Sequence, residues 1–446
     1  MKQVLILGAG LVARPMVNYL LKTNEINVVL ASRTVLKADR LIEGHSNGQS
    51  VHLTMDDDAK LENLVSGSEI VVSLLPYTFH LKVAKLCLKY AKPLVTTSYV
   101  SAAMKELDEE AREKGLLFLN EIGLDPGIDH MSAMRVMDNV KKRGGRIVSF
   151  MSYCGGFPAP EANDNPWGYK FSWSPRGVLM AGRNSARYLK DGSLVEIEGG
   201  DLFKNCWPIK IDGFQLETYP NRDSLPYREQ YGINSTQTIF RGTLRYPGWC
   251  RTLLAVSELG MLKEDEITGT KECTYHDITR KILGIAPDTD AKNYICVRKN
   301  IEDDDDIIEK LEWLGLFSDQ VYHQDQTTPL DFLTEIMQQK MSYRSGERDM
   351  VLLHHHFVAE FPDKTEYITS TLTDFGSPEG SSSMSRTVSL PAAIAVRQIL
   401  NGNIHETGVR IPVSEEIYQP VLDELEQLNI RCREEYKVVQ QNEKYS

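Results

Sequence analysis

Positions 4–7 read Val-Leu-Ile-Leu, and Gly8-Ala9-Gly10-Leu11-Val12-Ala13 follows without a break. A continuous apolar run suits a strand buried on both faces, as in a parallel sheet. The glycine pattern is G-x-G-x-x-A. Gly8 permits a tight turn, Gly10 lets backbone approach a pyrophosphate, and Ala13 is small enough for close helix–sheet packing. Helical spacing of apolar residues continues to Leu21, and Pro15 is tolerable in the first turn. The free N–H groups and dipole of that helix start favour an anion.

Alone the pattern is weak, but strands recur behind it. Positions 26–30, 50–55, 70–75, 94–97 and 116–119 read as further strands, and helical stretches at 81–90 and 101–114 alternate with them. That rhythm predicts a Rossmann-type doubly wound parallel sheet. A dinucleotide site for NAD carries an acid at the end of the second strand, to hold the ribose 2′-hydroxyl. Here the strand ends Ala31-Ser32-Arg33-Thr34. Arg33 can fork onto a 2′-phosphate, and Ser32 and Thr34 can add hydroxyl bonds, so the expected cofactor is NADP(H).

Ligands of open α/β sheets bind beyond the carboxyl ends of the strands. Those ends carry Leu75-Pro76-Tyr77-Thr78-Phe79-His80, Thr97-Ser98-Tyr99 and Asn120-Glu121-Ile122-Gly123-Leu124-Asp125-Pro126-Gly127-Ile128-Asp129-His130. Asp125, before a Pro-Gly turn, reads either as a cap for the helix starting near Ile128 or as an acceptor for a substrate ammonium. His80 and His130 titrate near neutrality and read as acid–base candidates or as structural histidines. A strand over 149–154 ends at Gly155-Gly156; its Cys154 is either a reactive thiol or a small buried residue. Arg222 in a turn-like run, and Arg241 and Arg245 after a short strand, suit carboxylates. His354, His355 and His356 lie in a strand-like run whose alternation suits chelation poorly.

Composition sets limits. A chain of 446 residues with 41% hydrophobic content can build two or three cores. The net charge of −12 argues against nucleic-acid binding, which needs a basic face. Neither a signal peptide nor a membrane span is expected. The seven cysteines are scattered and none forms a C-x-x-C pair, so neither a disulfide framework nor a metal site is expected, and a reducing cytoplasm fits.

These motifs in this order resemble the glutamate-forming saccharopine dehydrogenase family. The likeness runs through Thr96 to Ser101, Asn120 to His130, Tyr153-Cys154-Gly155-Gly156, Tyr169 to Ser174, Asn221-Arg222-Asp223-Ser224, Arg241 to Tyr246, Trp313-Leu314-Gly315 and Gly346 to Asp349. Leu11-Val12-Ala13 stands where the family has Phe-Val-Thr, and the tract 263–306 matches weakly. The resemblance implies NADP(H) contacts at Gly10, Leu11, Val12, Ala13, Ser32, Arg33, Thr34, Leu75, Thr97, Leu124, Asp125, Pro126 and Ser174. It implies saccharopine contacts at Ser98, Tyr99, Asp125, Arg222, Thr243, Leu244 and Arg245. Asp125 and Tyr99 are expected to relay protons, with Cys154 a third catalytic candidate.

The implied reaction interconverts saccharopine and water with L-glutamate and 2-aminoadipate 6-semialdehyde, by hydride transfer at an imine carbon. Rival readings are a reductase of another amine-linked imine, such as carboxynorspermidine dehydrogenase, and a non-catalytic NADP-binding sensor. The expected architecture is a Rossmann domain over 1–126 completed by 391–446. A mixed α/β substrate and dimerisation domain over 127–232 and 319–390, and a small helical lobe over 233–318, complete it. The resemblance also implies a homodimer, in lysine metabolism.

Overall fold

The N-terminal apolar run forms strand β1 (Lys2–Leu7), and the fingerprint turns directly into helix α1 (Ala13–Leu21). The computed structural model describes residues 1–440. The alternation continues through β2 (Ile26–Ser32), α2 (Val35–Ile42), β3 (Gly48–His52), α3 (Asp58–Ser66), β4 (Ile70–Ser73), α4 (His80–Lys89) and β5 (Leu94–Thr96). The expected helix over 101–114 is two short ones, α5 (Ala102–Lys105) and α6 (Asp108–Glu113), because the Ser101 hydroxyl caps one start and the chain turns at Glu106-Leu107 before the next. Then come β6 (Leu117–Leu119) and α7 (Ile128–Lys142).

The chain continues as β7 (Arg146–Pro158), α8 (Pro175–Ala181), β8 (Ala186–Lys190), β9 (Ser193–Ile197), β10 (Trp207–Ile211), β11 (Phe214–Pro220), α9 (Tyr227–Gln230) and β12 (Thr238–Arg245). A helical stretch follows: α10 (Trp249–Glu258), β13 (Ile267–Thr268), α11 (Tyr275–Leu283), α12 (Ala291–Lys299), α13 (Asp306–Leu314), β14 (Gln326–Thr327) and α14 (Pro329–Lys340). The last elements are β15 (Asp349–Glu360), β16 (Lys364–Phe375), α15 (Ser383–Leu400), β17 (Gly408–Arg410), α16 (Glu415–Gln427) and β18 (Arg433–Gln440).

Two compact units result. One comprises Met1–Ile147, Glu229–Ile233 and His355–Ser446; the other comprises Val148–Arg228 and Asn234–His354. Positions 441–446, part of the C-terminal segment expected to complete the first domain, lie outside the described residues.

The first unit holds a parallel seven-stranded sheet in the order β17-β6-β5-β4-β1-β2-β3. From β6 to β3 this is the dinucleotide-fold order, with the reversal between β1 and β4 where such sheets bind ligands. The central strands are buried on both faces, whereas the edge strand β3 has no buried residue. Leu5, Leu7, Val29, Val71 and Phe118 pack with Leu61 and Val65 of α3 and Val83, Ala84 and Cys87 of α4. Alternation sends Val4 and Ile6 to the other face, and both are fully buried. There α1 packs against α15, which packs in turn on α16. This unit also holds β16 and β18, paired antiparallel from Lys364↔Gln440 to Thr371↔Arg433.

In the second unit β10, β11 and β12 run antiparallel to one another, β12 pairs parallel with β7, and β8 and β9 form a hairpin beside β12. Strand β7 does not stop at Gly155-Gly156 as expected but continues to Pro158. A Cβ on Gly155 would lie 2.6 Å from the Leu244 carbonyl oxygen, so glycine is what lets the strands close up there. Strand β12 occupies the start of the stretch expected to be mainly helical. Beyond it α10 packs on α13, α13 on α14 and α11 on α12. Asp305, in the acidic run 303–306, caps α13 by accepting the Ile307 N–H at 2.9 Å. Among the described residues no helix is long and apolar enough to cross a membrane.

Candidate functional site

In the first unit the fingerprint stands at the carboxyl end of β1. Gly8 has φ +112°, and a Cβ there would lie 3.0 Å from the Leu74 carbonyl oxygen. Only glycine takes that conformation without strain. At Gly10 a Cβ would meet nothing within 4 Å, so the backbone is open to a ligand. Helix α1 starts after Val12 with no side-chain cap and no acid in its first turn. Its first N–H groups therefore face outward unneutralised, the feature an anion uses. Leu11 is 68% exposed, while Ala13 is buried under the helix.

At the end of β2 the Ser32 hydroxyl accepts the Thr34 N–H at 3.2 Å, which folds the turn that presents Arg33. Arg33 is exposed and makes no ion pair among the described residues. An arginine left unpaired where an NAD site has an acid fits a 2′-phosphate. The residues present thus fit NADP(H).

Next along the edge, Leu75 follows β4 and Thr97, Ser98 and Tyr99 follow β5. His80, the first residue of α4, lies 2.8 Å from the Ser73 hydroxyl through Nδ1 and 2.8 Å from the Ser98 hydroxyl through Nε2. Thr96 Oγ1 is 3.3 Å from Nε2. Burial lowers the His80 pKa from 6.5 to about 4. It is therefore neutral near pH 7, and its two ring nitrogens tie the Ser98 hydroxyl to Ser73.

Beyond β6 the chain carries Leu124, Asp125 and Pro126, with a cis bond between Asp125 and Pro126. The Tyr99 hydroxyl donates to Asp125 Oδ1 at 3.1 Å. At the start of α7 the Gly127 N–H donates to Asp129 Oδ1 at 2.5 Å. Gly127 has φ +147° and so little room that a Cβ would overlap the Gly123 backbone. Glu121 is a buried residue that sequence reasoning passed over. It accepts the Val100 N–H at 2.9 Å and meets His130 Nε2 at 2.8 Å, and His130 Nδ1 meets the Tyr231 hydroxyl at 2.5 Å. This chain holds the loops after β5 and β6 together.

The second unit carries the other candidates. Thr243, Leu244 and Arg245 end β12, and Thr243 pairs in register with Cys154 of β7 and with Tyr219 of β11. Cys154 is 6% exposed. Arg245 is 5% exposed and sits in an aromatic cage, with its guanidinium carbon 5.1 Å from the Tyr169 ring centre, 5.6 Å from Trp249 and 6.0 Å from Tyr219. It donates to the Leu244 carbonyl at 2.7 Å, its Nε has no partner, and it forms no ion pair among the described residues. Burial opposes its charge, while Tyr219 and Tyr169 favour it and leave the net direction upward. Burial also pushes the Tyr219 hydroxyl up to about 12.

Arg222 follows β11 with φ 56° and an exposed side chain. Arg241 is buried and stacks on Tyr227 at 4.6 Å. Ser174 is exposed and caps α8 by accepting the Gly177 N–H at 3.2 Å. In the same loop Lys170 is 2% exposed and bridges Asp164 at 2.8 Å and Glu347 at 2.7 Å, a structural tie. The cage around Arg245 was not legible in the sequence, because its three rings come from positions 169, 219 and 249.

The chain matches the family model described as the saccharopine dehydrogenase NADP binding domain over residues 4–119, and that of the saccharopine dehydrogenase C-terminal domain over residues 123–430. It is 41% identical to a saccharopine dehydrogenase [NADP(+), L-glutamate-forming] of Schizosaccharomyces pombe, over 98% of this chain and 99% of that protein. Against the same-named protein of Saccharomyces cerevisiae the identity is 42%, over 95% and 96%. Mitochondrial alpha-aminoadipic semialdehyde synthase of Bos taurus is 38% identical over 95% of this chain, which covers 46% of that longer protein. The solved apo saccharopine dehydrogenase (L-Glu forming) of Saccharomyces cerevisiae superposes with a TM-score of 0.88 at 40% identity, over 98% of this chain and all of that one.

Proposed function

The chain belongs to the saccharopine dehydrogenase family, and from that premise we propose that it interconverts saccharopine and water with L-glutamate and 2-aminoadipate 6-semialdehyde, using NADP(H), in lysine metabolism. Glutamate's amino group condenses with the aldehyde and releases water, leaving an imine. When bound, NADP(H) gives the imine carbon a hydride or takes one back from the secondary amine.

The chain's residues do the rest. Gly10 and the open start of α1 hold the pyrophosphate, and Arg33 with Ser32 and Thr34 holds the 2′-phosphate. Gly8, Leu11, Val12, Ala13, Leu75, Thr97, Leu124, Pro126 and Ser174 complete the cofactor contacts that the family pattern assigns. Arg222 and Arg245, with Thr243 and Leu244, take substrate carboxylates. Ser98, Tyr99 and Asp125 take the amino and amine nitrogens. Tyr99 donates to Asp125, so the pair can pass a proton toward the nitrogen, and Cys154 is the third candidate for that work. Fixing the imine carbon against its hydride donor replaces a collision with an oriented encounter, which lowers the barrier by several kcal/mol.

The observation that carries this reading is Arg245. A buried guanidinium with no acid partner is costly, and a carboxylate-rich substrate offsets that cost. Saccharopine bears three carboxylates. The test is to mix the protein with L-glutamate, the semialdehyde and NADPH deuterated at the reactive position, then weigh the product. Saccharopine carrying one deuterium supports the reading; semialdehyde consumed without labelled saccharopine refutes it.

The same reading extends to a homodimer in the cytoplasm. The scattered cysteine spacing, without a C-x-x-C pair, is what the reading of a reducing compartment rests on. Analytical ultracentrifugation and cell fractionation test these two points.

A further inference from the structure

Cys206 immediately precedes β10, Glu217 lies in β11, and Cys250 is the second residue of α10. No short motif links them, yet their three ligand atoms, two sulfurs and a carboxylate oxygen, lie within 4.8 Å of one another. All three belong to the second unit. Pairing of Trp207 with Thr218 sets the β10–β11 hairpin, and the short turn Leu202–Lys204 packs on α10, so the backbone fixes the cluster. Tetrahedral zinc with bonds of about 2–2.3 Å sets its donors roughly 3.5–4 Å apart. Small side-chain rotations close the remaining distance.

The plainer reading makes Glu217 a helix cap. Its Oε1 accepts the Cys250 N–H at 2.6 Å and its Oε2 accepts the Gly248 N–H at 3.0 Å. That accounts for the carboxylate but not for two thiols gathered against it. Each group becomes an anion on losing a proton, and Cys250 is 1% exposed. None of the three makes an ion pair among the described residues. Arg245 couples to Cys250 through its charge but donates to Leu244. Gathered anion-formers without a bonded cation make a place for one.

We propose that Cys206, Glu217 and Cys250 form a zinc-binding site, with water as the fourth ligand. Two thiolates select a borderline-soft ion over magnesium or calcium. Binding converts two thiols and one carboxylate into a complex of net charge −1 and releases two protons to solvent. The two N–H bonds to Glu217 then orient the ligand as outer-shell partners do. The bound ion ties the β10–β11 hairpin to the start of α10, whose first residue, Trp249, stacks on Arg245. The proposal runs against the expectation of no metal drawn from cysteine spacing.

The test uses the full chain, reduced, stripped with chelator and titrated with Co²⁺. One equivalent should bind with a thiolate-to-cobalt charge-transfer band in the near ultraviolet, release about two protons, and be displaced by Zn²⁺. Cys206→Ser and Cys250→Ser should each cut the band by about half or more, through loss of one cobalt–sulfur bond, and weaken Zn²⁺ binding by about 100-fold or more. Glu217→Gln keeps both thiols and a cap acceptor, so it should keep the band and bind more weakly, which covers the case of a cysteine variant that misfolds. No thiolate band in the wild-type protein, or a band of undiminished intensity in Cys206→Ser at saturating Co²⁺, overturns the proposal. So does a stripped protein that only loses two hydrogens to a disulfide and takes up no metal.

Discussion

Replacing Arg245 by methionine separates two roles that a buried arginine can have. The side chain is 5% exposed, has no acid partner among the described residues and bonds the Leu244 carbonyl. Methionine keeps much of the volume. The change loses stacking on Tyr169, Trp249 and Tyr219, worth roughly 0.5–2 kcal/mol each, and one hydrogen bond of about 1 kcal/mol. It also removes a desolvated charge whose burial costs several kcal/mol. The terms cancel to within about 2 kcal/mol, so thermal unfolding should move by only about 4–8 °C in a domain of this size. Substrate binding has no such compensation. A charged hydrogen bond is worth about 1.5–3 kcal/mol, and losing a two-bond fork onto a carboxylate should therefore cost about 100- to 10,000-fold in kcat/KM for saccharopine. Binding of NADPH should not change. Calorimetry, steady-state kinetics and cofactor titration on one preparation read all three. Loss of more than about 4 kcal/mol of stability, the mark of a broken buried pair, with kcat/KM retained would show that the cage arginine is structural and refute the reasoning.

Arg33→Ser should raise the KM for NADP by about 10–100-fold through loss of a charged contact, leaving that for NAD nearly unchanged; parallel titrations check it. Because the folded His80 pKa lies near 4 and the ordinary value is 6.5, the unfolded chain binds the extra proton first as pH falls. Stability from this group is complete above 6.5 and is lost as pH falls toward 4, by up to about 3 kcal/mol. His80→Gln should flatten the difference curve in that window, measured by denaturant unfolding. The same variant should raise KM for saccharopine more than it lowers kcat, since it acts through Ser98. Gly8→Ala places a Cβ 3.0 Å from the Leu74 carbonyl oxygen at φ +112°, and should cost about 1–3 kcal/mol of stability together with most NADPH affinity. Fluorescence titration reads the affinity.

The dinucleotide half was legible because its signals are local. An apolar run, two glycines and a strand end lacking an acid each carry their meaning within a few positions. The structure places those residues along one sheet edge with Arg33 unpaired. What the sequence concealed depends on distant partners. Gly155 and Gly156 look like a strand end, but Leu244 across the ladder requires the first of them inside the strand. Gly376 to Ser385 reads as a small-residue loop and the helix as running from Pro391, yet positions 383–390 are helical too. They are the start of α15, since Thr387 and Ser389 bond back to the carbonyls of Ser383 and Ser385 at 2.8 Å and remove their polarity from the count. The partner of His80, the Glu121–His130–Tyr231 chain and the rings around Arg245 likewise join positions far apart in sequence. Residue types there were noticed, but their work was not readable.

The most direct test of the account is the formation of reduced nicotinamide, followed by its absorbance, when purified protein meets saccharopine with NADP and, in parallel, with NAD. The account predicts turnover that depends on saccharopine, yields L-glutamate, and is far faster with NADP than with NAD. NADP bound tightly with no saccharopine-dependent reduction would contradict it.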